Sequence, residues 1–256
     1  MLDLLYIPIA YAIHFHILVV VYAIWIHRGW SHGCFIFTPV MNHVCRFIVY
    51  TLSWGTFPEW LRISAGTHRM HHKHSDTDED SHSPHVLPFV ALLDQKYNPY
   101  YQRVTNEQLA EYAKDVPILD DWMQHNVYTG PRRYYGCALV VVIYGLLFGW
   151  VGLLIAPLLL VFTAKFMMPM FATWIPHKLG FYRHKDHKFP DRSINLVPIG
   201  IYLCGEELHS NHHVDPRSHN LRNRWFEFDM AYWYAKLFES LGLLKFRDRT
   251  IDPNKI

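Results

Sequence analysis

The sequence predicts an all-α protein in which membrane helices, about three spans plus an interfacial helix, lie under a helical cytosolic cap. Three observations lead there: an uncharged apolar run near the amino end, a second apolar region about twice as long, and 19 histidines among 256 residues, several in a repeated spacing. Hydrophobic residues make up 51% of the chain and charged ones 18%, which suits a few spans with a large polar part. A formal net charge of +2, with no basic run interleaved with stacking aromatics, argues against a nucleic-acid partner. The four cysteines, Cys34, Cys45, Cys137 and Cys204, form no C-x-x-C pair, so neither a disulfide framework nor a zinc ribbon is expected.

The first element is the run from Leu4 to Ile26, 23 residues without a formal charge. As a helix it is about 35 Å long, enough to cross a bilayer. Asp3 precedes it, and it has neither the cationic start nor the small-x-small cleavage site of a removable signal. The second apolar region, Tyr134 to Pro176, is divided near Gly149-Trp150-Val151-Gly152, where a tight turn makes two antiparallel spans, about 134–150 and 152–176. Between these regions Met41 to Ile63 is apolar and helix-like but carries Asn42, His43, Arg46, Glu59 and Arg62. If the histidine clusters share one site, parity decides: one span precedes His27 and two separate His72 from His177, so 41–63 must return to the side it left, as an interfacial helix. Basic residues concentrate on the histidine-bearing side, which makes it cytosolic and puts the amino terminus outside. Residues 64–133 and 177–256 then form the cap of a single unit.

The histidines follow a pattern. His68-Arg69-Met70-His71-His72 places imidazoles at i, i+3 and i+4, on one helix face, with His71 and His72 splayed by about 100° so that each can serve a different metal. His209-Ser210-Asn211-His212-His213 repeats the spacing. His27 and His32, at i and i+5, are expected to be separated around a helix and again to approach different ions. All-imidazole ligation suits iron, zinc, copper or nickel over magnesium or calcium, and no H-E-x-x-H motif points to a zinc hydrolase. Asp76-x-Asp78-x-Asp80 resembles half of a calcium loop, but Ser81 and Leu87 stand where its glycine and glutamate belong, so a solvated acidic loop is expected.

The order H-x4-H, H-x2-H-H, H-x2-H-H, with the flanks His72-Lys73-His74-Ser75-Asp76, His177-Lys178-Leu179-Gly180-Phe181-Tyr182-Arg183 and Gly205-Glu206-Glu207-Leu208, resembles the membrane fatty acyl desaturase family in its acyl-CoA, stearoyl-type branch, from about Ile24 to about Asp215. The resemblance implies a di-iron site held by His27, His32, His68, His71, His72, His177, His209, His212 and His213. Two departures stand out. Only 26 residues precede His27, so one span is expected where family members carry two. Thr173 occupies the position, four residues before His177, of an asparagine that holds a water on one iron, which makes Thr173 the candidate catalytic residue.

From this resemblance follow an oxygen-dependent desaturase acting on a fatty acyl thioester (acyl-CoA or acyl carrier protein), two iron ions, dioxygen as co-substrate and an integral-membrane setting among lipids. No flavin or nicotinamide fingerprint occurs, so electrons are expected from an external ferredoxin or cytochrome with its reductase. The alternatives are the same scaffold as hydroxylase, acetylenase or terminal-alkene-forming enzyme, and a non-catalytic membrane metal-handling protein. Glu206, Asp76, Asp80 and Asp215 are candidates to orient imidazoles; His74, His82 and His219 are expected beside the site or at the surface. His14 and His16 are read as packing or hydrogen-bonding residues. Lys165 is expected to pair with Glu59 or Asp3, or to snorkel. Trp54, Phe57, Trp60, Phe166, Met167, Met168, Met170 and Phe171 are candidates to line an acyl tunnel. Basic residues including Arg132, Arg133, Lys178, Arg183, Lys185, Lys188, Arg217, Arg222 and Arg224 can meet a phosphate, an acidic carrier, or simply set topology.

Overall fold

Helices dominate the computed structural model, which describes residues 3–53, 60–93 and 106–249, and strands are confined to two short ladders. Helix α1 (Ile7–Val21) is led by a 3-10 turn over Leu4–Tyr6, where the Asp3 carboxylate accepts from the Leu5 N–H at 2.9 Å. It widens without a break into a π-helix, Tyr22–Ser31. Leu4–Ser31 is long and apolar enough to cross a membrane. After β1 (Phe35–Phe37), α2 (Pro39–Leu52) starts where the Thr38 hydroxyl accepts from the Met41 N–H, with proline at the first helical position. Met41, Cys45 and Val49 of α2 point inward, and Val40, Val44 and Phe47 outward. α2 ends at Leu52, and α3 (Trp60–His74) opens beyond it, so the segment 41–63 is divided between two helices. Trp54, Phe57 and Glu59 lie outside the described residues.

Short helices follow in the cap: α4 (Phe89–Leu93), α5 (Asn106–Tyr112) and α6 (Trp122–Asn126). The stretch Gly130–Lys178 is the second one long and apolar enough to cross a membrane. Within it α7 (Tyr135–Phe162) is broken at Gly149, with φ 66° and ψ −148°, a conformation closed to residues bearing a Cβ. The two arms fold back in contact: a Cβ on Gly152 would lie 2.0 Å from the Tyr144 carbonyl oxygen. Val140, Tyr144 and Phe148 of one arm bury against Ala156 and Leu160 of the other. Thr163–Met167 and Met170–Trp174 are π-helical turns on either side of Pro169, which has no N–H for the α ladder, and α8 (Ile175–Lys178) completes the stretch. The remaining elements are β2 (Ile199–Gly200), α9 (His209–Val214), β3 (Phe228–Asp229), α10 (Met230–Ser240) and β4 (Leu244–Phe246). β1 pairs antiparallel with β4, Phe35 opposite Phe246, and β2 pairs parallel with β3.

Two buried apolar clusters meet on the first helix. Phe15, Val19 and Ile24 join it to Leu203, Ala231 and Leu244, while Trp25 joins it to Met41, Val49, Leu61 and Ala65. Between them Arg28, fully buried, donates to Asp229 at 2.6 Å and to the Cys204 carbonyl at 3.1 Å. That pair ties the π-helix to the start of α10, and removing one partner from such a pair costs about 3–5 kcal/mol. His14 meets the Leu52 carbonyl at 2.9 Å, and His16 meets the Tyr202 carbonyl and the Tyr234 hydroxyl, so both serve packing and hydrogen bonding. Lys165 does not pair with Asp3, whose carboxylate caps its own turn; its side chain is exposed and has no ion-pair partner among the described residues.

The hairpin gives a direct test. Gly152→Ala should force the arms apart at Tyr144 and destabilise the protein by about 1–3 kcal/mol, as overpacking does elsewhere. Thermal unfolding in detergent checks this, and an unchanged midpoint would show that the arms do not meet there.

Candidate metal centre

The chain brings all nine predicted histidines together in two adjacent groups. His27, His32, His68, His72 and His212 form the first, and His71, His177, His209 and His213 the second; the inward nitrogens of each group lie within 4.8 Å of one another. In the first group Nε2···Nε2 separations are 2.8 Å for His27–His212, 2.9 Å for His32–His68, 3.0 Å for His68–His72 and 2.9 Å for His72–His212. In the second they are 3.1 Å for His177–His209 and for His209–His213.

Helix geometry explains the sorting. On α3 the i, i+4 pair His68 and His72 faces the first group, while His71, one position back, turns to the second. On α9 the pair His209 and His213 faces the second group and His212 the first. The separation expected for His27 and His32 does not occur. Both enter the first group, with ring centroids 5.3 Å apart, because Tyr22–Ser31 is a π-helix whose i→i+5 closure stacks residues five apart on one face. Gly29 permits the wide turn: a Cβ there would lie 2.5 Å from the Phe37 ring and 2.7 Å from the Ile24 carbonyl oxygen.

Carboxylates aim the rings from behind. Asp80 accepts from His71 Nδ1 at 2.8 Å, Asp76 from His177 Nδ1 at 2.8 Å, and Asp191 lies 3.1 Å from His213 Nδ1. Glu206 lies 2.6 Å from His27 Nδ1, in an off-line direction that makes it a charge contact more than a directed hydrogen bond. The acidic loop is therefore not solvated: Asp76 and Asp80 are buried, and only Asp78 of the three faces water. Asp76 sits at φ 60°, in the left-handed region that aspartate tolerates, and also accepts from the Ser83 hydroxyl and the Arg192 N–H. Asp215 orients no imidazole. α9 ends there with φ −137° and ψ 77°, turning the side chain outward to Arg249 at 2.5 Å. Asp191 was not among the sequence candidates. It is one of two acids, with Asp186, in the largely basic segment Arg183–Arg192, and distance from every histidine box hides it. His82 stacks on His71 at 4.2 Å, His74 pairs with Glu79, and His219 stacks on Phe35, all outside the two groups.

Electrostatics point the same way. Burial first, and the neighbouring imidazoles second, hold His32, His68, His72, His209, His212 and His213 well below the ordinary histidine range. They are neutral at pH 7. Burial also opposes charging of His71, but Asp80 outweighs it and raises that ring, while Asp80, against its own burial, is held down at about 2 by His71. Where a carboxylate takes the Nδ1 side, as at His71, His177 and His213, Nε2 faces inward with its lone pair, and lone pairs facing at the separations within each group repel unless a cation stands between them. Metal–imidazole bonds of about 2.0–2.1 Å put ligands at right angles about 2.9 Å apart, so the donor set fits a first-row transition ion in each group.

Thr173 lies buried on the π-turn Met170–Trp174, four residues before His177, and its hydroxyl hydrogen-bonds to no described residue. Beside the first group is a narrow cleft lined by Phe15, Val19, Tyr22, Met168, Phe171 and Glu206, with about 10 Å³ of free space, room for roughly one water. Of the tunnel candidates, Met168 and Phe171 line this cleft. Tyr22 stacks on His27 at one end, and at the other Phe15 meets Phe171 and Tyr202 at 6.2 and 5.7 Å.

An all-helical scaffold with two stretches apolar enough to cross a membrane, carrying two buried imidazole cages that can hold metal, defines a class of membrane-type metalloproteins. Known proteins narrow it. No protein-family model matches the chain. It is 27% identical over 222 residues to the sn-1 stearoyl-lipid 9-desaturase of Anabaena variabilis, covering 85% of this chain and 74% of that protein. It is 25% identical over 230 residues to the acyl-CoA C20 Delta5-desaturase of Anemone leveillei (85% and 65%), and 23% identical over 233 residues to the hex-5-enoyl-[acyl-carrier protein] acetylenase of Moorena producens (86% and 70%). These relatives, 23–27% identical over most of the chain, support a fatty acyl desaturase family member, and fatty acid desaturases are oxidoreductases.

If the buried carboxylates aim the cages, Asp80→Asn should weaken metal uptake by about 10- to 100-fold, and Asp215→Asn should leave it unchanged. Equilibrium dialysis with metal analysis measures both; equal uptake by Asp80→Asn and wild type would remove Asp80 from that role.

Proposed function

We propose that this chain is an integral-membrane, oxygen-dependent di-iron desaturase that introduces a double bond into a fatty acyl chain carried as a thioester on coenzyme A or acyl carrier protein. The observation that carries this reading is the pair of buried imidazole cages lying side by side, with carboxylates behind several of the rings. Nine imidazoles would hold the ions: His27, His32, His68, His72 and His212 one, and His71, His177, His209 and His213 the other. Two irons supply the redox chemistry that removes hydrogen from an unactivated methylene pair, which side-chain acids and bases cannot do. Per double bond, one dioxygen, two electrons and two protons go in and two waters come out, the electrons coming from an external ferredoxin or cytochrome.

The residues divide the remaining work. Asp76, Asp80, Asp191 and Glu206 keep the Nδ1 atoms engaged and the Nε2 lone pairs inward. Thr173, with its hydroxyl free among the described residues, holds a water beside the second group. Tyr22, Val19, Met168 and Phe171 exclude bulk water beside the first group, and Phe15 closes the far end of a cleft that must widen to admit a chain. The three-span arrangement, with the ligands on the cytosolic side and Pro39–Leu52 in the interface, is part of this proposal.

A second reading keeps the scaffold and changes the outcome, to acetylenic, hydroxylated or terminal-alkene product. It is favoured by the likeness to an acetylenase and by threonine at position 173. A non-catalytic metal handler would need polar stations along the spans, whereas the candidate ligands here gather at one end.

Acyl thioesters and lipids from cells expressing the chain, compared by mass spectrometry with a His71→Ala control, decide among these. The proposal expects wild-type products lacking two hydrogens and none in the control; a gain of one oxygen selects hydroxylation, and no difference removes the enzyme reading. Phe15→Ala should shift products toward longer chains, and an unmoved chain-length profile would show that the cleft does not end at Phe15.

A further inference from the structure

The helix that carries three of the nine histidines has no cap of its own. α9 is six residues long, and Leu208 before it offers no side-chain acceptor to the N–H groups of the first turn, which lack partners within the helix. A residue well upstream supplies the acceptor. Asn195 Oδ1 accepts from the N–H of Ser210 at 2.8 Å and of Asn211 at 3.2 Å, the two bonds that an N-cap side chain makes.

The backbone of the same residue is tied to the segment leaving α8. Its N–H donates to the Tyr182 carbonyl at 2.8 Å and its carbonyl accepts from the Phe181 N–H at 2.9 Å, an isolated antiparallel bridge. The neighbours extend this seam. Ile194 N–H donates to the carbonyl of Pro176, next to His177, at 2.7 Å, and Leu196 N–H to the carbonyl of Glu207, two residues before His209, at 2.8 Å. Gly180 allows the close approach, since a Cβ there would lie 2.7 Å from the Asn195 carbonyl oxygen. His177 and His209 meet beyond the seam, Nε2 to Nε2 at 3.1 Å.

Behind α9 the bonds continue. A helix turns by about 100° per residue, so Asn211 points away from the cages that His209, His212 and His213 face. Asn211 Oδ1 accepts from Asn195 Nδ2, and its Nδ2 donates to the Leu221 carbonyl and to Glu227, all at 2.9 Å. Glu227 also accepts from the Tyr182 hydroxyl at 2.8 Å, which brings the chain of bonds back to the segment after α8. Asn195, Asn211 and Glu227 are buried, where losing one partner strands the others. Among the described residues Asn195 bonds to neither the first helix nor α3, so the seam relates α9 to His177 and to no other ligand-bearing segment.

We propose that Asn195 is a positioning residue: it clasps α9 to the segment leaving α8 and so sets the approach of His177 to His209 and His213 on which the second metal site depends. The inference rests on the reading of the two histidine groups as metal cages. The first group is less dependent on the clasp, because α9 gives it one imidazole of five and gives the second group two of four.

The test is cobalt(II) binding by the whole chain in lipid nanodiscs, followed by equilibrium dialysis and by the visible bands of the bound ion, with no turnover needed. Wild type should take up one ion in each group. With the first group disabled by His68→Ala/His72→Ala, Asn195→Ala should weaken binding to the second by about tenfold or more. With the second disabled by His177→Ala/His213→Ala, the same change should cost the first group a clearly smaller factor. Asn195→Asp keeps the acceptor for both N–H groups and should show the same selectivity with a smaller loss; it carries the test if Asn195→Ala does not fold. Gly152→Ala, which strains the remote hairpin, should lower the unfolding midpoint without favouring either group, and so separates positioning from general loosening. The proposal is overturned if the Asn195 variants bind cobalt like wild type, if they lose affinity equally at both groups, or if Gly152→Ala produces the same selectivity. Failure of wild type to bind cobalt in both groups would instead remove the two-cage reading, and the clasp with it.

Discussion

An imidazole that turns its Nε2 lone pair into a buried cage leaves an Nδ1 proton to place, and at His71, His177 and His213 the cap folds so that a carboxylate meets that demand. The acceptors are carboxylates on loops remote from the rings they serve. Asp76 reaches His177 across a sequence separation of 101, and Asp191 reaches His213. Buried acids are costly unless paired, so the loops at 75–83 and 191–193 are drawn under the cap and held by further bonds, such as Ser83 to Asp76 and Ser193 to Asp191. The cap is organised around these acceptors more than around an apolar core, and the apolar clusters lie where the first helix meets its neighbours.

The helices supply the other half of the geometry. Two boxes with the same spacing, on α3 and α9, face each other so that each contributes to both groups. The first helix adopts a different solution and widens to a π-helix, stabilised inside by the Arg28–Asp229 pair and permitted outside by Gly29 against Phe37. The third apolar segment is also π-helical around Pro169, just before Thr173 and His177. Local widening thus recurs in the apolar helices that lead into the histidine cages.

Charge is segregated as a consequence. A net charge of +2 describes a nearly neutral chain, yet the acids nearest the centre face inward toward imidazoles. Several basic residues of 178–192 are left outside without a carboxylate partner among the described residues, so the exposed surface there is mostly basic, with Asp186 among it.

Much of this was legible in one dimension. Histidine spacing singled out His27, His32 and the two boxes, because i, i+3 and i+4 positions share a helix face wherever the helix lies, and the family resemblance added His177. Apolar run lengths located the two membrane-type stretches, and glycine marked the hairpin at 149. What depended on backbone departures from the ideal helix was not legible: the i, i+5 pair His27 and His32 was assigned to separate ions because the widening of the helix has no local signature. Distance hid the rest. Asp191 became a partner of His213, Asp76 and Asp80 left solvent, and Asp215 turned away to Arg249, since a carboxylate's partner is set by which loop folds over which ring. The sequence by itself determined the helical class and the two histidine boxes, which are local properties of spacing and hydropathy. Only the tertiary structure decided how five and four imidazoles divide and which acids stand behind them, because both are set by contacts between segments far apart in the chain.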